Sequence, residues 1–420
     1  MKSLVYSIEG ECEAYHQKGI QTKVVLSNDC ISSVEKKYIR GTGFRVFING
    51  NQGFAYTTDK NQLEEAAKLA SKLAKTSSEV KRIPIPEEYV TVDGICDPHL
   101  KDMPLETFMK MALQMLQGAH EKGGHVVYGS IEVLELCNEI TTSYGITGEF
   151  HETSCFANID VEVDGFFGTE TLYTRCSGFD MFDLGKKAAE LAAASRNPQK
   201  IEGGKMSIIL RPPAVSKLLE NSLVPSLLAD NVEDDTSIFL NRIGEKVSSN
   251  ITIVDDGIVS GGIGSRPFDG EGSPCRKTVV IEKGVLQSFL FDTTTAFRYN
   301  IKSTGNAIRS SFRTPPLIYI SNLALSPEFK TYQLIEDTKY GIVVNDIIGS
   351  LSLDSITKKF GFEAKNVFLI ENGEIKHPTH DVTIAGNIRG MLRSIEPGND
   401  VKQEGLLFIP STKVYASVFV

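Results

Sequence analysis

No stretch of the 420 residues approaches the roughly 18 consecutive apolar residues of a membrane span. The first ten residues, Met1 to Gly10, combine one basic charge with a short apolar run, too little for a secretory signal. These two absences set the expectation of a cytoplasmic protein with no membrane partner. The seven cysteines are odd in number, run only from Cys12 to Cys275 and contain no C-x-x-C pair. A disulfide framework and a zinc ribbon are therefore not expected, and most of the thiols read as small buried apolar groups. Positive charge is in deficit, with 44 Lys and Arg against 53 Asp and Glu and a net charge of −9. That balance offers no general attraction to phosphate backbones and excludes nucleic acid as a first partner. The chain also has no G-x-x-x-x-G-K-[ST], no G-x-S-x-G and, among seven histidines, no H-E-x-x-H. The common nucleotide, serine-hydrolase and zincin signatures are thus missing. No internal repeat or low-complexity segment occurs.

What is present reads as a folded α+β chain of 41% hydrophobic and 23% charged residues, long enough for two or three domains at roughly 100 to 200 residues each. The first 60 residues alternate β-branched and polar positions. Phe44 to Ile48 runs into Asn49-Gly50, a two-residue hairpin signal. Leu63, Ala66, Ala67, Ala70, Leu73 and Ala74 follow the helical period, with Asp59 and Gln62 spaced as a capping box. A second helix is predicted from about Pro104 to Glu121, capped by Asp102, burying Leu105, Phe108, Met109, Ala112, Leu116 and Ala119, and stopped by Gly123-Gly124. Strands are predicted from Val126 to Tyr173. Asp180 then opens a helix with Ala188, Ala189, Leu191 and Ala192 inward. The polar, Gly-rich Gln199 to Lys205 is the expected boundary, dividing an N-terminal mixed α/β domain (1–199) from a C-terminal antiparallel β-rich, barrel-like domain (200–420). In the latter, a helix after Pro212-Pro213 carries Val215, Leu218, Leu219, Leu223, Leu227 and Leu228 on one side. Tight turns at Glu282-Lys283-Gly284 and Asn372-Gly373 join hairpins that a barrel or sandwich would close.

Few stretches carry chemistry on their face. Gly261-Gly262-Ile263-Gly264-Ser265 precedes Arg266-Pro267 and not a helix, so it reads as a flexible loop and not as a dinucleotide fingerprint. His151-Glu152-Thr153-Ser154-Cys155 sets His151, Thr153 and Cys155 on one face of a strand. That is either a Cys/His nucleophilic pair or an ordinary strand with an exposed His, and the second is favoured because catalytic Cys and His usually converge from distant segments. His377 and His380 flank Pro378 in a turn, a poor arrangement for metal ligation. The richest segment is Gly262 to Phe312. Asp269 and Glu271 lie between glycines, either in a tight turn or clamping a substrate ammonium or cation. Asn306 and Arg309 follow Asp292 and Thr293 to Thr295, groups suited to a peptide backbone.

The runs Phe268-Asp269-Gly270-Glu271-Gly272, Val279 to Leu286, and Thr304-Gly305-Asn306-Ala307 with Arg309 resemble the core of the TldD/PmbA family, historically called modulators of DNA gyrase. Gly41-Thr42-Gly43-Phe44-Arg45-Val46 with Gly53-Phe54-Ala55 resembles that family's N-terminal hairpin. Val382 to Asn387 and Pro410 to Val420 resemble its C-terminal end, so the resemblance spans nearly the whole chain. It implies a two-domain α+β fold and a cytoplasmic protease built from two related subunits, TldD and TldE (also called PmbA). The TldD type carries H-E-x-x-x-H on a helix and a later cysteine, which together hold zinc. On the corresponding helix, Pro212 to Asp230, the pattern falls on Glu220, Asn221 and Pro225, and no cysteine follows Cys275. The resemblance is therefore to the TldE/PmbA type. It implies no metal in this chain, zinc in a TldD-like partner, an extended or unfolded polypeptide as substrate, and self-association when the partner is absent. Two other readings remain: a metal-free hydrolase acting alone through Asp269 and Glu271 or through Cys155 with His151, and a protein-binding modulator of gyrase or of a toxin-antitoxin pair.

Overall fold

A computed structural model describes residues 2–78, 80–353 and 357–420. After a short helix α1 (Lys2–Ser7), the chain builds an antiparallel sheet of six strands: β1 (Glu11–Ser27), β2 (Cys30–Ile48), β3 (Asn51–Thr57), β4 (His125–Thr142), β5 (Thr147–Val163) and β6 (Phe166–Thr174). Their spatial order is β3-β2-β1-β4-β5-β6, which leaves β6 at one edge. The β2–β3 turn is Asn49-Gly50, both with positive φ (52° and 85°), as a type I′ turn requires. Helix α2 (Leu63–Ala74) covers the β2–β3 end. Helices α3 (Leu105–Glu121) and α4 (Met181–Ala194) cover the middle, where Phe108, Met115, Ala188 and Ala189 pack on Ile131, Val133, Cys155 and Ala157.

Three local expectations are corrected. Asp102 does not cap α3, because it holds a left-handed φ of 56° ahead of Pro104, and Pro104 itself takes the extended N-cap position. Asp59 does cap, accepting the Asn61 N–H at 2.8 Å. It caps a short 3₁₀ turn (Lys60–Gln62) that leads into α2, and Gln62 makes no side-chain cap bond. The buried face of α3 is rotated from the one expected: Leu105 and Met109 are exposed, while Met111 and Met115 are buried. The sequence of α3 is apolar over more than half its circumference, so periodicity alone leaves the face open. The crossing with α4 decides it, because only at Gly118 and Gly185 can the two backbones come this close.

The second half opens with β7 (Gly204–Leu210). This strand lies between Tyr340–Leu353 and Thr412–Phe419, and the latter pairs with Val382–Asn387, which pairs with Lys359–Glu371. Lys359–Glu371 pairs back onto Tyr340–Leu353 and closes a five-stranded barrel. The single parallel contact in the ring is β7 beside Tyr340–Leu353. Ile208, Leu210, Ile342, Val344, Phe362, Ile384 and Val414 belong to the core that fills and surrounds it. A second, smaller sheet carries Ile253–Asp256, Lys277–Glu282, Leu323–Leu325 and Leu407–Ile409. The helix expected from Pro212 to Asp230 breaks into α5 (Pro212–Ser222), α6 (Val224–Leu227) and α7 (Ala229–Glu233). Pro225 has no N–H to continue a ladder. Leu228 turns extended (φ −85°, ψ 129°) and bridges Leu290.

At the α3–α4 crossing, a Cβ on Gly118 would stand 1.9 Å from the Phe182 carbonyl oxygen, and one on Gly185 would stand 2.0 Å from that of Met115. Alanine gains about 1 kcal/mol of helix propensity, but the two rigid backbones would have to separate. Gly185→Ala is therefore expected to destabilise the fold by about 1–3 kcal/mol. The check is a lowered urea midpoint, and an unchanged or raised midpoint would contradict the close-crossing account.

Candidate functional site

Two places gather polar side chains. The first is a seam between the N-terminal sheet and the loops before and after Lys277–Glu282. Glu13 on β1 and Arg45 on β2 are cross-strand partners. Arg45 holds Glu13 with Nε at 3.1 Å and with Nη2, and reaches Glu271 Oε1 with Nη1 at 3.0 Å. Arg309 donates to Glu13 from Nη2, to the Gly270 carbonyl from Nε at 2.7 Å, and lies over the Tyr15 ring. The other oxygen of Glu271 accepts the Thr293 N–H at 3.0 Å. Asp269 accepts the N–H groups of Glu271, Ser273 and Ala307 at 2.9, 3.0 and 3.1 Å. Asn306 donates to Asp255 at 2.7 Å. Asp269, Glu271 and Asn306 are each 1% exposed and Arg309 is 7% exposed.

Of the four residues singled out in the sequence as groups for substrate, Glu271 and Arg309 reach the N-terminal sheet, Asp269 binds loop backbone and Asn306 turns to Asp255. Burial, and then the Glu271 charge, push the Asp269 carboxyl well above the ordinary range. Burial pushes Asp255 up to about 6. Neither Asp269 nor Glu271 faces open solvent, which removes the geometry for the lone hydrolase reading through these carboxylates.

Arg175, directly after β6, extends the seam and was not anticipated. Its guanidinium is 2% exposed and donates to the carbonyls of Gly262 (2.8 Å), Ile263 and Ile95 (3.1 Å) and to Glu152 Oε2 (2.9 Å). Gly264 N–H also donates to Asn322 Oδ1 at 2.9 Å. The Gly261–Ser265 loop, expected to be flexible, is pinned from both sides. A Cβ on Gly264 would meet the Ser321 carbonyl oxygen at 1.9 Å, so this glycine serves close packing, while Gly261 supplies a left-handed φ of 71°.

The Cys/His pair considered for Cys155 with His151 does not form, and the favoured reading of an ordinary strand with an exposed His describes the segment. Four residues along a strand are roughly 13 Å apart. Cys155 is buried beneath α3 and α4, where desolvation pushes its thiol up to about 12. His151 is exposed and bonds Glu149 at 3.1 Å. His377 meets only the Pro378 carbonyl among its hydrogen bonds, at 3.1 Å.

The second place is an open cleft of about 620 Å³ between the two halves. One wall is the edge strand β6 with Thr169, Glu170, Thr171 and Tyr173. The other is the start and outer face of α5 with Arg211, Ser216, Lys217 and Glu220, and the floor includes Asp346, Asp400, Lys402 and Glu404. The carbonyls of Phe167 and Thr171 turn away from β5, since they accept Asn366 Nδ2 at 2.7 Å and Lys402 Nζ at 3.3 Å. Alternation brings Thr169 and Tyr173 to the same outer edge. Charges inside the cleft are paired: Lys402 with Glu404 (2.7 Å) and Glu170 (3.7 Å), Lys217 with Asp346 (2.6 Å), Arg211 with Asp400 (3.7 Å). Burial raises the Glu170 carboxyl and pushes the Tyr173 phenol up to about 12.

Comparison with known proteins gives these features a family. The PmbA/TldA metallopeptidase C-terminal domain matches residues 203–418, and PmbA/TldA metallopeptidase domain 1 matches residues 12–74. The chain belongs to the TldD/PmbA family. An uncharacterized protein of Methanocaldococcus jannaschii is 31% identical over 407 residues, covering 96% of this chain and 94% of that protein. A metalloprotease of Methanothermobacter thermautotrophicus is 28% identical over 86% of this chain and 82% of its own length. The crystal structure of TldE from Thermococcus kodakarensis shares the fold with a TM-score of 0.89, at 21% identity over 98% of this chain and 97% of that one. The family is one of metallopeptidases with a metal in its chemistry, and the mixed α+β fold with its C-terminal barrel is the family fold.

The TldD/PmbA zinc motif does not fit the residues that stand here. Glu220 faces the cleft but its carboxylate is engaged by Tyr319 Oη at 3.0 Å. Asn221 Nδ2 is tied to the Lys217 carbonyl at 2.8 Å, one turn back on α5. Pro225 offers no ligand atom and lies in α6, beyond the end of α5. No histidine or cysteine lines the cleft among the described residues. No helix among them is long and apolar enough to cross a membrane.

Two measurements test this geography. Arg45→Met strips the shared cation from two buried carboxylates, and the expected loss is about 3–5 kcal/mol of stability at pH 7, read from the urea midpoint; a change below about 1 kcal/mol would refute the seam. Alkylation of the native protein near pH 8 is expected to mark the exposed Cys30 and Cys176 while sparing Cys155 and Cys275, as read by peptide mass mapping. Rapid labelling of Cys155 would reverse its assignment as a core residue.

Proposed function

We propose that this chain is the TldE/PmbA-like, non-metal subunit of a two-subunit cytoplasmic metalloprotease that processes extended or unfolded polypeptide. The observation that carries the reading is the cleft, in which a strand edge faces α5, with Glu220 and Asn221 on that helix and Pro225 in α6 at the positions of the zinc motif. A substrate strand would add to β6 through the backbone groups of Thr169 and Tyr173 and the N–H of Thr171, whose carbonyl Lys402 already holds. Main-chain hydrogen bonds would supply affinity without demanding a particular sequence. The zinc hydroxide that cuts it would belong to a TldD-like partner carrying an intact H-E-x-x-x-H. In this reading residues 1–199 supply the strand edge and residues 200–420 the opposite wall. Glu271 and Arg309 hold the two together, Asp269 and Asn306 brace the loops of the second half, and none of the four touches substrate. The chain would pair with itself when the partner is absent.

Co-expression with a TldD-like chain is expected to yield a stable complex that cleaves unfolded protein. Activity should be lost on chelation and on changing the partner's motif glutamate to glutamine. Chelator-resistant cleavage by the isolated chain would overturn the proposal. Within the complex, Thr171→Pro removes one edge N–H. It is expected to weaken capture of a fluorescent unfolded peptide about two- to tenfold, the equivalent of one hydrogen bond, as read by anisotropy.

A further inference from the structure

Away from the cleft, one group of side chains on the N-terminal sheet has no part in the reading above. Cys137 on β4 faces His151 on β5, and Glu139 faces Glu149 one pleat further on. All four have odd numbers, the same parity as Val133 and Cys155, and so lie on the sheet face that carries α3 and α4, toward the β4–β5 turn. Cys137 Sγ lies 3.5 Å from Glu149 Oε1, and His151 Nε2 lies 3.1 Å from that same oxygen. One ligand atom from each of the three falls within 4.8 Å of the others. Cys137 Sγ is also 4.0 Å from Glu139 Oε1, which Lys18 Nζ holds at 3.0 Å.

We propose that Cys137, Glu149 and His151 form a binding site for a divalent ion of the zinc class, with Glu139 as the fourth donor. The spacing supports this. With metal–ligand distances of about 2.0–2.3 Å for nitrogen, oxygen and sulfur, the edges of a tetrahedron measure roughly 3.3–3.8 Å. The observed 3.1, 3.5 and 4.0 Å bracket that range, so small side-chain rotations suffice. The donor set selects the ion. A thiolate and an imidazole disfavour magnesium and calcium and suit zinc, cobalt or nickel. The charges also balance, because one thiolate and two carboxylates offset a divalent ion together with the Lys18 ammonium. On binding, the Cys137 S–H bond breaks, sulfur bonds the ion and one proton leaves to solvent. Because the donors come from two neighbouring strands, the ion would cross-link β4 and β5 without reference to the cleft.

The test is a cobalt titration of the isolated chain after chelation and desalting, followed by thiolate-to-cobalt absorption in the near ultraviolet, with zinc as competitor. One cobalt per chain is expected, displaced by zinc. The thiolate band should vanish in Cys137→Ser, and affinity should fall at least about tenfold in His151→Ala and in Glu149→Gln. The side chains of His151 and Glu149 are 46% and 53% exposed, so these two variants keep the fold even if Cys137→Ser does not. No saturable uptake, a bound cobalt without a thiolate band, or unchanged affinity in His151→Ala would each overturn the site.

Discussion

The arrangement rests on one buried ion cluster, in which Glu13 accepts from both Arg45 and Arg309 while Arg45 also holds Glu271. The partners are 226 and 296 residues apart in sequence. Two come from the first hairpin of the N-terminal sheet and two from loops of the second half. Desolvating such charges is expensive, and only the full set, with backbone N–H groups closing the remaining lone pairs, makes it tolerable. That requirement gives directionality: an apolar seam would permit sliding, whereas this one admits a single register. The two walls of the cleft belong to opposite sides of the seam, β6 to the sheet and α5 to the barrel half. Their separation is therefore set by the seam together with direct ties in the cleft, where Lys402 holds Glu170 and the Thr171 carbonyl.

Arg175 carries the same constraint to the end of β6. Its side chain gathers three carbonyls of the Gly261–Ser265 loop and the Ile95 segment, and Glu152 balances its charge. Burial alone would raise the Glu152 carboxyl, but Arg175 and Arg266 overcome it and hold it below the usual range. Lowering the pH through that depressed value would protonate Glu152 and leave Arg175 without its counter-charge, so this contribution to stability is present at neutral pH and is lost in acid.

Much of this was readable in the sequence where the determinant is local. Asn49-Gly50 marks its hairpin because both residues tolerate positive φ, and Asp180 marks the start of α4 because its carboxylate can reach the Asp183 N–H. The failures have a common origin in partners that sequence spacing cannot supply. The inward face of α3 depends on the approach of α4 at Gly118. The breaks after α5 depend on Leu228 finding Leu290. Asp269, Glu271, Asn306 and Arg309 stood out as a polar cluster, but whether such a cluster faces substrate or another part of the chain depends on Glu13 and Arg45, which read as ordinary members of amphipathic strands. Cys137 and Glu149 were likewise invisible, since their meeting requires the register of the β4–β5 hairpin.

The positions onto which the family resemblance lays the zinc motif are each tied to this chain's own structure. Glu220 is anchored by Tyr319, Asn221 caps a carbonyl of its own helix, and Pro225 ends the ladder where the chain must turn toward Leu290. The cleft around them stays open, its charges paired and its strand edge intact. In the proposed reading α5 shapes the channel without holding a metal, provided the seam keeps β6 in place. In the proposed reading, binding depends on architecture, and cutting depends on a few side chains that a second subunit would supply.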